Sequence, residues 1–415
     1  MIRLTVVFLS ILLIAGCSKQ EPGDQTAEHI RESRLATNAA FLALDQGNPA
    51  GFLEEMKRAT TLRPGHPTIE YHLGRAYLMN GDTLSALQTF ERVARMGVFI
   101  TFDDPVLMGL RTTSVGRDVE QRLQRNNIPK VASSVVFVGT DPNFQSEGIT
   151  RFEGKWLMAS VHQNRIAWGD GPTWTDTRPR SAMGMKKHGS SLWVATTGSQ
   201  EGGAQPEDIG STQLVQIDLR SGKVLSTISP TDKLDHWFGD VEIDPSGLVY
   251  VSDSFAPGVF KVQDNQLLPV VVGDPFTSPQ GMAYLNDRLY VADYSAGIFQ
   301  VDVKTGATQL LSGGDGETLL GIDGMLAFDG GLVAIQNGMV PPRVLFIELL
   351  TPSEMGSVVT LESNHPDYSD PTVGYIENDT LFYMANSQWP LFSPSADSTL
   401  RKPSVILGLP LRFNE

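Results

Sequence analysis

Cysteine is almost absent: Cys17 is the only one in 415 residues, so no intrachain disulfide braces the fold. Basic residues are scarce too, 32 Lys and Arg against 47 Asp and Glu, for a formal net charge of −15. A chain this acidic, with no dense Lys/Arg run past its N-terminus, is repelled by phosphate backbones, which excludes nucleic acid as a partner. No G-x-S-x-G elbow occurs, so nothing points to a serine nucleophile. With no cysteine to spare, and His236 the only histidine near a candidate site, a structural zinc centre is unsupported. The 41% hydrophobic content is that of a soluble globular chain, so any membrane attachment rests on lipid.

The first residues read as an export signal. Arg3 precedes the apolar run TVVFLSILLIAG, too short to span a bilayer stably. The run ends in LIAGC, which resembles the bacterial lipoprotein signal, where the cysteine is lipidated and becomes the first residue. That resemblance implies a signal peptide over 1–16, lipidation at Cys17 and a polar, flexible tether over 17–26. Ser18 in place of Asp after the cysteine implies the outer membrane, with the protein facing the periplasm of the cell envelope.

The rest of the chain has the length of two domains. Over 27–128, Ala, Leu, Glu and Arg recur at helical spacing, and Gly47 and Gly81 lie 34 residues apart in turns. Leu73, Gly74, Tyr77, Ala86 and Phe90, with Ala40, Ala59 and Pro64 in an earlier copy, resemble the tetratricopeptide pattern. In that pattern small residues let paired helices approach and large ones fill the groove. Residues 103–127 read as a third, degenerate helical pair. The expected role is a spacer docked on the second domain; a groove for a protein partner is the alternative.

Over 130–415 strands alternate with Gly, Asp and Pro turns, and six segments repeat one hairpin. They start at Glu147, Met183, Asp240, Gln280, Asp323 and Val373. Each runs through a short apolar strand, turns, and returns on an apolar-aromatic strand. Thirteen residues after each start stands Ser160, Thr196, Asp253, Asp293, Gln336 or Asn386. Equal spacing predicts one geometry six times, and self-similarity at roughly 40-residue intervals marks a β-propeller. The fold class is therefore α+β multidomain: a short all-α helical domain, then an all-β six-bladed propeller. Pairing of strand 132–140 with the final strand, 404–413, should close the ring. Insertions at 198–211 and 387–402 are expected to overhang a shared pocket.

Innermost propeller strands converge on the axis, so the six starting residues should rim one site. Glu147, Asp240 and Asp323 would face each other around Gln280, and confined like charges raise each other's pKa. A divalent cation with oxygen ligands is the simplest compensation, Ca2+ ahead of Zn2+ or Mg2+. Asp253 and Asp293 read as structural, satisfying backbone groups at strand ends. His236, Asn337, Arg343, Asn386 and Trp389 stand at the expected rim as substrate-binding candidates. An Asn-lined, Trp-walled mouth suits a polyol or another small oxygen-rich molecule.

The stretches SEGITRF, SPQGMAYLNDRLYVADY and GIDGMLAFDGGLVAIQNG resemble the senescence marker protein, gluconolactonase and luciferin-regenerating enzyme family over roughly 135–413. The resemblance implies a six-bladed propeller with one axial metal, whose Glu, Asn and Asp ligands fall on Glu147, Gln280 and Asp323. Here Gln280 stands for Asn, and a further family Asn falls on Gly239, leaving Asp240 to take its place. It also implies Asp323 as general base in hydrolysis of a small lactone or ester, with the cation polarising the carbonyl. A non-catalytic binding protein and an envelope scaffold remain open beside that enzyme reading, because one fold hosts many functions.

Overall fold

The computed structural model describes residues 26–314 and 316–412; the leader, Cys17 and all of the expected tether but Thr26 lie outside the described residues. Among the described residues no helix is long and apolar enough to cross a membrane. Helices α1 (Thr26–Asp45), α2 (Pro49–Leu62), α3 (Pro67–Met79) and α4 (Thr83–Arg95) form two hairpins, followed by α5 (Ser114–Arg125). Pro49 and Pro67 open their helices in the first turn, where a missing N–H costs nothing. Asn48 and Asp82 cap α2 and α4 by accepting the Gly51 and Ser85 N–H groups. Gly74 of α3 lies so close to α4 that a Cβ there would sit 2.6 Å from the Phe90 ring. The small-against-large packing is therefore present, but the likeness to tetratricopeptide repeats stops at two hairpins. Residues 103–127 supply α5 after one 3-10 turn, Met108–Thr112, where a third helical pair was expected. Pro105 and Gly109 interrupt what would have been its first helix.

The propeller has six blades. Their innermost strands are Ser146–Phe152, Ser181–His188, Phe238–Ile243, Pro279–Leu285, Ile322–Phe328 and Gly374–Glu377. Strand Ser134–Val138 pairs antiparallel with Val405–Pro410 at the outside of the sixth blade, so the ring closes as the edge-strand argument requires.

One local device aims the starting residues. In blades one to five the inner pairing slips register between Ser146 and Ile149, Ala182 and Met185, Phe238 and Val241, Pro279 and Met282, and Ile322 and Gly324. A bulge inserts an unpaired residue and re-aims its side chain. Each slip contains a starting residue, which thereby leaves the pleat. A glycine follows in most blades because the next inner strand passes very close. A Cβ on Gly281 would meet the Asp323 carbonyl oxygen at 2.5 Å and the Met325 nitrogen at 2.6 Å.

The helical domain docks on blades four and five. Phe99 N–H donates to the Val340 carbonyl at 2.8 Å, and the Arg343 guanidinium to the Met96 carbonyl at 3.0 Å. Arg63 donates to the Ser295 carbonyl, and Asn364 to that of Asn127 at 2.6 Å.

Candidate active site

All six starting residues line one axial cavity of about 370 Å³. Trp237, Ser278, Tyr294, Asn337, Asp370 and Trp389 complete its wall. Two residues further along the inner strands, Ile149, Met185, Met282 and Met325 close in, and the axial space shrinks to about 20 Å³. The cavity thus has a polar upper chamber above a narrow constriction, where these apolar side chains adjoin Asp240 and the ion pair of Lys186 with Glu242, 2.8 Å apart.

Four carboxylates share the chamber. Glu147 is 7% exposed, and its Oε2 accepts from Ser387 Oγ at 2.6 Å and Trp389 Nε1 at 2.9 Å. Burial first, and the Asp323 charge second, push its carboxyl up to about 8. Asp323 is raised to about 6 by burial, against the pull of Asn337, whose amide donates to Oδ2 at 2.6 Å. Asn337 is itself fixed by Tyr294, whose hydroxyl donates to its Oδ1 at 3.0 Å. Asp240 accepts the Met282 N–H at 2.9 Å and is raised by burial to about 7. Asp370, at the mouth, is also raised by burial. Among the described residues lining the chamber there is no Lys, Arg or His.

The cavity therefore unites Glu147, Asp240, Gln280, Asp323, Asn337 and Trp389 of the expected site. It does not include His236, Arg343 or Asn386, and these three assignments are corrected. His236 is buried between carboxylates, Nδ1 to Asp253 at 2.5 Å and Nε2 to Asp232 at 2.7 Å. Arg343 is 2% exposed and satisfied by Gln336 at 2.5 Å, Glu317 at 2.7 Å and the Met96 carbonyl. Asn386 bridges the backbone, accepting the Val405 N–H at 2.6 Å and donating to the Pro403 carbonyl at 2.8 Å. Each occupies a seam at a strand end, where unpaired backbone groups and buried polar partners claim its side chain. Asp253 and Asp293 do the same. The first accepts the Trp237, Phe255 and Ala256 N–H groups at 2.9–3.1 Å, and the second those of Thr277 and Ser278 at 2.6 and 2.7 Å.

Insertion 387–402 overhangs the chamber through Trp389 and Pro390. Insertion 198–211 does not: it folds back on blade one, where Asn164 donates to the Gly202 carbonyl at 2.8 Å. Asp370, Ser278 and Tyr294 were missed as site residues, and the repeat held a signal for two of them. Trp237 and Asp370 each stand three residues before a start; Tyr294, Asn337 and Ser387 each stand fourteen after one.

The charged groups of the chamber are all carboxylates, and oxygen donors outnumber the single Met183 sulfur, which suits a hard cation. Among the described residues no group of three or more His, Cys, Asp and Glu is placed to hold a metal ion. A cation in the chamber would draw its ligands from the expected set, the Glu147, Asp240 and Asp323 carboxylates and the Gln280 amide oxygen, with small-molecule oxygens completing its shell.

No protein-family profile matches the chain, and no curated protein does. Among solved structures it is similar to a gluconolactonase from Xanthomonas campestris, at 13% identity over 68% of this chain and 94% of that one, TM-score 0.45. A putative oxidoreductase (glucose dehydrogenase) from Thermus thermophilus gives 14% over 68% and 100%, TM-score 0.44. Virginiamycin B lyase from Staphylococcus aureus gives 12% over 66% and 98%, TM-score 0.43. Likeness this distant concerns the propeller and carries no activity across.

Proposed function

We propose that the axial chamber binds one divalent cation, Ca2+ by donor chemistry, together with a small oxygen-rich molecule, and hydrolyses a lactone or related ester of it. The observation that carries this reading is the group Glu147, Asp240, Asp323 and Asp370 in a chamber lined by no basic side chain. Confined carboxylates retain their protons unless positive charge is supplied. When bound, the cation supplies that charge and polarises a carbonyl. Asp323 is the group for proton transfer: Asn337 holds one of its oxygens, and burial keeps its carboxyl near neutrality, at about 6. Trp237, Tyr294 and Trp389 form flat walls against which a ring would lie, and Ser278 and Asn337 offer hydrogen bonds to hydroxyls. The leader and Cys17 support lipid anchoring in the envelope, at the outer membrane and facing the periplasm.

The test is the metal content of soluble protein lacking residues 1–17, followed by a lactone and ester panel with and without chelator. We expect one cation per chain, turnover lost in chelator, and turnover lost in Asp323→Asn while the cation stays bound. No cation and no effect of chelator would end the reading. A bound cation with no turnover across the panel would leave a binding protein.

A further inference from the structure

We infer that the helical domain is a positioning element for Asp323, acting through Tyr294 and Asn337 by gripping the two backbone segments that carry them. The inference deepens the reading of Asp323 as the working carboxylate and rests on it. Its ground is the connectivity around that side chain.

Asp323 is held by Asn337 at 2.6 Å, and Asn337 by the Tyr294 hydroxyl at 3.0 Å. The second bond decides the first. An amide has a donor end and an acceptor end, and with Oδ1 occupied by Tyr294 the NH2 group faces Asp323. Without Tyr294 the amide is free to turn, and its oxygen would repel the carboxylate. The segments bearing this relay are locked to one another. Gly321 N–H donates to the Tyr294 carbonyl at 2.8 Å, and Gly338 N–H to the Gly321 carbonyl at 3.0 Å. Contact is so close that a Cβ on Gly338 would stand 2.6 Å from both Gly321 Cα and the Tyr294 hydroxyl. Slack in one segment therefore reaches the others.

The helical domain holds each segment from outside. Arg63, just after α2, donates to the carbonyl of Ser295, the residue next to Tyr294. Phe99 N–H donates to the carbonyl of Val340, three residues past Asn337, at 2.8 Å. Arg343 fixes the same joint, its guanidinium on the Met96 carbonyl and packed against Gly97. A passive spacer needs contacts somewhere on the propeller. Apart from Asn364 on the Asn127 carbonyl, the docking contacts named fall on the two loops, from blades four and five, whose first residues form the relay. Beside them a space of about 510 Å³, lined by Tyr71, Phe99, Ile100, Met339 and Val340, leaves segment 338–340 backed by few side chains. Its position depends on the backbone grips.

The test compares full mature chains carrying Arg63→Ala, Tyr294→Phe, both together, and Arg63→Lys. One readout is Ca2+ affinity by calorimetry; the other is hydrogen exchange of peptides covering 319–324 and 336–341. We expect each single variant to lower Ca2+ affinity by roughly two- to tenfold, the span of one net hydrogen bond. The double variant should lose no more than the worse single one, because both act on one relay. Exchange over 319–324 and 336–341 should quicken in Arg63→Ala, and Arg63→Lys, which keeps a cationic donor, should return toward wild type. Additive losses, or faster exchange confined to the helices and Ser295, would overturn the inference. Should wild type bind no Ca2+, the cation reading fails alone, and exchange decides this one.

Discussion

Glu147→Gln tests the electrostatic premise of the chamber. The carboxyl is 7% exposed, and burial with the Asp323 charge lifts it from 4.5 to about 8. A carboxyl whose pKa is higher in the fold than in the unfolded chain holds its proton more tightly in the fold. Its contribution to stability is complete below pH 4.5 and is lost as pH rises through about 8. At about 1.4 kcal/mol per unit, the ceiling on that loss is about 5 kcal/mol. Sharing of charge with Asp323 and relaxation of the site reduce it to about 2–3 kcal/mol. Gln removes the charge and keeps an acceptor for Ser387 and Trp389, which donate at 2.6 and 2.9 Å. In urea unfolding with EDTA we expect wild type and variant to agree within about 1 kcal/mol at pH 5. At pH 8.5 the variant should be the more stable by about 2–3 kcal/mol. Ca2+ should then restore wild type and leave the variant unchanged. Equal destabilisation of Glu147→Gln at both pH values would refute the reasoning, since the carboxylate would then need no counter-charge.

Saturating Ca2+, at about a hundredfold over its dissociation constant, should stabilise wild type by about 2.7 kcal/mol. Asp323→Asn should reduce that thermal shift without abolishing it, because Asn keeps one amide oxygen and the cation stays bound at saturation; a wholly undiminished shift would place the ion elsewhere. Gly281→Ala puts a methyl 2.5–2.6 Å from backbone atoms of the next blade and should cost about 2–3 kcal/mol in urea unfolding. A loss below about 0.5 kcal/mol would mean that the blades slide apart freely. Arg343→Met strips Glu317 and the Met96 carbonyl of their buried donor and should cost about 3–5 kcal/mol. Limited proteolysis should then cut between the helices and the first strand, and resistance equal to wild type would count against the clamp.

The six-bladed architecture was legible because one hairpin recurs at constant spacing, and the axial set followed from it. Glu147, Met183, Asp240, Gln280, Asp323 and Val373 meet in the chamber, as equal geometry demands. The role of the helical domain was legible only as docking. Its grips on the site end on the carbonyls of Ser295 and Val340, and a backbone acceptor leaves no residue signature.

The misplaced rim residues have a physical cause that the repeat itself exposes. Residues thirteen and fourteen after a start are neighbours in sequence and opposites in space, because side chains alternate along a strand. Gln336 turns into the seam, donating to the Thr318 and Leu320 carbonyls at 2.8 and 2.7 Å, while Asn337 enters the chamber. Asp293 satisfies backbone N–H groups, while Tyr294 lines the chamber. Asn386 braces the last strand, while Ser387 donates to Glu147. A polar residue at the thirteenth place therefore looks like a ligand contact and builds the seam; the fourteenth carries the site. His236 obeys the same logic from the other side. It lies four residues before Asp240 and faces Asp253, whereas Trp237, one residue on, forms the wall. Apart from Ser278 and the insertion residues Trp389 and Pro390, the side chains of the chamber come from three registers of the repeat, the start, three before it and fourteen after it. Reading the first alone recovers three of the four carboxylates, without Asp370, and misses most of what holds them.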